Sequence, residues 1–107
     1  MERIYISGPI SGVPNYMENF NEVEKQLEDK YYVLNPARMM SQFDDMDFHW
    51  KEYMDIAMVM LNACDIVYML KDWENSKGAI VEYYYALGCK KPVVFQEPKE
   101  NLIIKVN

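Results

Sequence analysis

Asp65-Ile66-Val67-Tyr68-Met69-Leu70 decides the fold. It is apolar almost without interruption, as a strand is when both faces of a parallel sheet are covered. Lys71 to Asn75 reads as a loop after it. Ser76 then caps a helix that runs through Leu87 and ends at Gly88. Pro92 to Phe95 is the next strand, and Leu102 to Val106, past the polar stretch from Gln96 to Asn101, offers a fifth. Before the central strand, a long helix runs from Asp47 as N-cap to about Ala63. Arg38 to Met46 shows no period and reads as a loop. Tyr31 to Leu34 is a strand stopped by Asn35-Pro36. From Tyr16 to Asp29, apolar Met17, Phe20, Val23 and Leu27 recur at helical spacing. Ile4 to Ser7 is a strand closed by Gly8-Pro9, and a loop with two Gly and two Pro reaches Asn15.

Strands and helices thus alternate along one domain, 1–107, without repeat, linker or low-complexity tract. The pattern predicts an α/β fold: a single doubly wound (flavodoxin/Rossmann-like) parallel sheet of four to five strands with helices on both faces. Ligands of such sheets bind at the carboxyl ends of the strands, near the reversal in strand order. That places weight on three loops: Gly8 to Asn15, Asn35 to Met46, and Lys71 to Ser76.

Composition narrows the partners. With 11 basic and 17 acidic residues the net charge is −6, and no basic stripe is available for a nucleic-acid polymer. A single mononucleotide is compatible with this charge, because N–H groups at a helix N-terminus can hold one phosphate. The longest strictly apolar run, Ile56 to Leu61, is far short of the roughly 20 residues that span a bilayer. No targeting segment is visible, so a cytoplasmic protein is expected. Cys64 and Cys89 lack metal spacing and read as reduced core thiols. His49 stands alone without a partner at ligand spacing, and neither a metal nor another cofactor is expected. The long helix is apolar on every face over Ile56 to Leu61, more than one small domain covers. A homodimer or higher homo-oligomer follows, to which the 9 Met and 9 Tyr also lean.

Glu82 is the first candidate for chemistry, being the only charged residue between Gly78 and Cys89. A helical side chain leans over the preceding turn, here the small Ala79 and Gly78, so the carboxylate looks either into open space at the binding edge or out to solvent. Tyr5 is either a core aromatic of the first strand or a hydroxyl that orients Glu82. Ser7, Gly8, Pro9 and Ser11 form a small-residue loop able to admit a ligand closely, and Asn35 ends the second strand at the same edge. Ser76 and Gly78 contact a phosphate or hydroxyl, or Ser76 serves as a cap alone. Trp73 either stacks on a base or leans on the domain's edge. Asp55 is either a second carboxylate for acid–base work or the last exposed residue before the apolar part of its helix. Asp65 is expected to hydrogen-bond nearby backbone.

Taken together, Tyr5-Ile6-Ser7-Gly8-Pro9, Cys64-Asp65-Ile66-Val67-Tyr68-Met69-Leu70 and Ser76-Lys77-Gly78-Ala79-Ile80-Val81-Glu82-Tyr83-Tyr84-Tyr85-Ala86-Leu87-Gly88 resemble the nucleoside 2-deoxyribosyltransferase superfamily over nearly the whole chain. The likeness is greatest to a small branch common in phages and prophages, with Trp73-Glu74-Asn75-Ser76 before the helix. The resemblance implies that Glu82 is a nucleophile attacking the anomeric carbon to form a glycosyl ester, as in retaining glycosidases, and that Tyr5 positions it. Ser76-x-Gly78 is similar to the phosphate-holding pattern of nucleoside 5′-monophosphate N-glycosidases. Two departures stand out. The superfamily's general-acid Asp, eight residues before the Asp that opens the third strand, falls on Ala57, with Asp55 on a different helical face. The Arg of the monophosphate glycosidases' first loop falls on Ser11. The resemblance therefore implies an N-glycosidase or deoxyribosyltransferase. The alternative is a non-catalytic protein that sequesters a nucleotide-derived signal, as a phage counter-defence protein would.

Overall fold

A computed structural model describes residues 1–98, with residues 44 and 45 described by their backbone alone. Four parallel strands form one sheet: β1 (Arg3–Ser7), β2 (Tyr32–Leu34), β3 (Ile66–Met69) and β4 (Val93–Phe95), in the order β2-β1-β3-β4. The helices are α1 (Tyr16–Leu27), α2 (Pro36–Met40), α3 (Trp50–Asn62) and α4 (Lys77–Gly88), with 3-10 turns over Ser41–Met46 and Trp73–Asn75. This is the doubly wound α/β architecture. The proposed fifth strand, Leu102 to Val106, lies outside the described residues.

Period-two alternation along β1 sorts the core into two layers. Ile6 packs with Phe20 and Val23 of α1 and with Ala37 and Leu70. Tyr5 joins Val67 and Met69 of β3 with Ala57, Met60 and Leu61 of α3 and Ala79 and Ala86 of α4. One face therefore carries α1 and the other α3 and α4. The chain leaves β1 in one direction to reach β2 and crosses to its other side to enter β3. The switch in strand order thus falls between the carboxyl ends of β1 and β3, where Leu70 N–H donates to Ser7 C=O at 2.8 Å. At the opposite end Asp65 and Arg3 exchange two hydrogen bonds of 2.9 Å, the backbone role expected of Asp65.

Three local readings are corrected. Arg38 to Met46 is not a loop. Asn35-Pro36 stops β2 but also starts α2: Asn35 Oδ1 accepts from Ala37 N–H at 3.0 Å and Pro36 occupies the first helical position. Asp47 is not the cap of α3; it adopts a left-handed conformation (φ 53°), and His49 is the N-cap, its N–H bound by Glu52 Oε1 at 2.9 Å. Cys64 is buried as expected, whereas Cys89, at the C-cap of α4, is exposed. Among the described residues no helix is long and apolar enough to cross a membrane.

Candidate active site

Glu82 projects from the second turn of α4 toward the end of β1. It is 5% exposed. Tyr5 and Ser7, two apart on β1 and hence on one face of the sheet, both donate to it. Tyr5 Oη serves Oε2 and Ser7 Oγ serves Oε1, the latter at 2.8 Å. Burial raises the carboxyl's pKa to about 7, against the pull of the Tyr5 and Ser7 hydrogen bonds, which favour the charged form. The Tyr5 phenol is pushed well above its ordinary value, by burial first and then by the charge of Glu82, so the proton between the two belongs to Tyr5 when Glu82 is ionised. Near neutrality Glu82 stands between its two forms. Each carboxylate oxygen offers about two lone pairs, so two hydrogen bonds leave capacity for attack or for a third donor.

The carboxylate opens onto a cleft of about 870 Å³ at the strand-order switch. Gly8, Pro9 and Ser11 form its rim after β1, and Asp72, Ser76, Lys77 and Gly78 its rim after β3. Trp50, Tyr53, Met54 and Ala57 of α3 make one wall, with Tyr16 and Asn19 of α1 across the opening. Two glycines make room for this arrangement. A Cβ on Gly8 would meet Leu70 Cβ at 2.7 Å, so no larger residue fits where the β1 and β3 loops separate. A Cβ on Gly78 would lie 3.1 Å from Met54 Sδ, so the glycine lets α3 close on the start of α4.

Residues 2–95 match a family model described as a domain of unknown function, DUF4406. The chain belongs to the DUF4406 family. No curated protein matches it. Among solved structures it is similar to a 2-desoxiribosyltransferase from Leishmania mexicana, with a TM-score of 0.67 and 21% identity over 89% of this chain and 63% of that one. The DUF4406 chain therefore has a nucleoside deoxyribosyltransferase-like fold, and spans under two thirds of the length of that transferase.

Of the residues singled out in the sequence, the fold of this DUF4406 chain brings Glu82, Tyr5, Gly8, Pro9, Ser11, Ser76 and Gly78 to one cleft. Ser7 is fully buried and meets Glu82 from behind the cleft, not as part of its lining. Ser76 caps α4 by accepting from Ala79 N–H at 3.2 Å while its side remains on the cleft rim. Three others lie elsewhere. Asp55 points away to solvent and pairs with Lys51 at 3.3 Å; the cleft-facing position nearby is Ala57. Trp73 is 2% exposed, wedged against Tyr83 (centroids 4.7 Å apart) and Phe95 (5.9 Å), so it serves the core and has no face for a base. Asn35 caps α2 and donates to Asn21 at 3.0 Å and Glu24 at 3.1 Å, beside a separate cavity of about 250 Å³. Arg38 pairs with Glu24 and does not reach the cleft.

The sequence pattern does not mark the α3 wall as part of a site. Its signal was present as Trp50, Tyr53, Met54 and Ala57 at i, i+3, i+4 and i+7, one stripe of a helix. An apolar stripe reads as core, and only the tertiary fold tells which stripe faces a void. Among the described residues no cluster of three or more His, Cys, Asp or Glu is placed to hold a metal ion.

Proposed function

We propose that this protein cleaves the N-glycosidic bond of a nucleoside or 5′-mononucleotide, with Glu82 as nucleophile. The observation that carries this is a single carboxylate, buried at the base of an 870 Å³ cleft and held by two hydroxyls on one face of β1. The ionised Glu82 attacks the anomeric carbon; the bond to the base breaks with its electron pair going to the ring nitrogen. Water or a second base then adds to the same carbon and returns Glu82 to the carboxylate. Splitting one displacement into two steps lowers each barrier. Tyr5 and Ser7 act as positioning residues, fixing the carboxylate's plane. The start of α4, with Ser76, Lys77 and Gly78 on the rim, suits a 5′-phosphate. The fold likeness to a 2-desoxiribosyltransferase supports the same reading.

Stoichiometric incubation with a panel of nucleosides and mononucleotides, read by mass spectrometry, tests it. Released base that disappears in Glu82→Gln is expected. Ligand recovered intact from the wild type would overturn the reading in favour of binding alone.

We further infer that the protein is a homo-oligomer. Val59 on α3 is 70% exposed, and Val81, Tyr84 and Tyr85 of the adjacent α4 are also exposed. Apolar surface of this kind favours association. Sedimentation at 12.7 kDa alone would contradict it.

A further inference from the structure

Resting on the glycosidic reading above, we propose that the preferred substrates carry a base that is already a cation: an N-ribosyl pyridinium or an N7-alkylated purine nucleoside or nucleotide.

The leaving group sets the preference. When the glycosidic bond breaks, its electron pair stays on the ring nitrogen. A neutral purine or pyrimidine then departs as an anion unless an acid delivers a proton. A cationic ring departs neutral and needs none.

The side chains that donate well near neutral pH are carboxylic acids and imidazolium. Among the described residues lining the cleft, the carboxyls are Glu82, Glu22 and Asp72, and no histidine is present. Glu82 attacks as the carboxylate and has no proton to give in that step. Glu22 and Asp72 are both solvent-exposed at the rim. The α3 wall offers Trp50, Tyr53, Met54 and Ala57, none of them a carboxylic acid.

That wall also suits a positive ring. Trp50 is 43% exposed and its ring attracts a cation, as Lys77 Nζ at 4.4 Å from the centroid shows; Lys77 is solvent-exposed and must swing aside for a cationic base to take that face. Carboxylates outnumber ammonium groups on the lining, with Glu22, Asp72 and Glu82 against Lys71 and Lys77. A cation beside Glu82 also favours its ionised form, offsetting part of the burial that holds its proton up to about pH 7.

The step balances without an acid. The Glu82 oxygen bonds to C1′, and the C1′–N pair cancels the ring's formal charge. Water then adds to C1′, giving one proton to solvent and freeing the carboxylate.

The test compares nicotinamide riboside and 7-methylguanosine, with their 5′-monophosphates, against inosine, guanosine and their monophosphates. Each enzymic rate is divided by that compound's spontaneous rate, and Glu82→Gln serves as the blank. The rate enhancement for the cationic set should exceed that for the neutral set by about 100-fold or more, the least a positioned acid ordinarily supplies. Neutral nucleosides accelerated as strongly as cationic ones would overturn the inference and leave the glycosidase reading standing. No release from either set would overturn both.

Discussion

Ser7 donates its hydroxyl proton to Glu82 Oε1 at 2.8 Å, across 75 positions of sequence, while taking no part in the cleft surface itself. With Tyr5 on the other oxygen, it is one of two groups that counter the burial of this carboxyl. Removing either donor removes a hydrogen bond that favours the charged form over the neutral one. Ser7→Ala and Tyr5→Phe are therefore each expected to raise the Glu82 pKa from its value of about 7, and to shift the acid limb of any activity to higher pH. Each lost hydrogen bond to the buried charge costs about 1–3 kcal/mol. Carboxyl-carbon NMR titration of Glu82 measures the shift; an unmoved midpoint would show that these hydroxyls do not tune it.

The same carboxyl sets a pH dependence of folding. In the folded chain Glu82 keeps its proton to about pH 7, whereas a free glutamic acid loses it near 4.5. Between those values the folded state binds the extra proton, so stability is greatest below the window, falls as pH rises through it, and levels off above pH 7. The integrated loss is about 3 kcal/mol for this group alone. Glu82→Gln should remove that fall. Urea midpoints at pH 5 and pH 8 give the comparison, and equal slopes in both proteins would contradict the assignment.

The two cleft glycines should behave differently. Gly8→Ala drives a methyl to 2.7 Å from Leu70 Cβ, at a point fixed by the Ser7–Leu70 backbone bond. A loss of about 1–3 kcal/mol is expected. Gly78→Ala meets Met54 Sδ at 3.1 Å, near the end of a flexible side chain, with Trp50 Nε1 at an ordinary 3.8 Å, and gains helix propensity worth up to about 1 kcal/mol. Thermal unfolding of the pair should rank them in that order.

Two tryptophans separate core from cleft. Trp73→Ala empties a site packed by Tyr83 and Phe95 and should cost about 3–5 kcal/mol. Trp50→Ala removes a half-exposed ring of the α3 wall and should leave stability within about 1 kcal/mol while weakening ligand affinity. Isothermal titration beside denaturant melts distinguishes the two effects.

How much of this is legible in the chain follows from what each signal measures. The apolar run of β3 and the capped helix after it declare a buried parallel strand and its crossover, and the fold follows. Glu82 is legible for a local reason: one charge on an apolar helix above two small residues. Asp55 and Trp73 stay open in sequence because identity does not give direction; the 100° step per residue takes Asp55 off the Ala57 face, and the core rather than the cleft claims Trp73. Asn35-Pro36 carries two meanings at once, a strand stop and a helix start, and α2 exists because the second also applies. Ser7 looks like loop chemistry in sequence and is strand chemistry in three dimensions.

Tyr5 and Ser7 pair opposite Val67 and Met69 of β3. Because β1 shows alternate residues to opposite faces, a slip of one position would turn both hydroxyls toward α1 and leave the carboxylate undressed among apolar side chains. Pairing of the two central strands and assembly of the Glu82 site are consequently one event. A one-residue slip would therefore strip both donors from the carboxylate, so the ionisation of Glu82 doubles as an internal gauge of whether the strands are aligned.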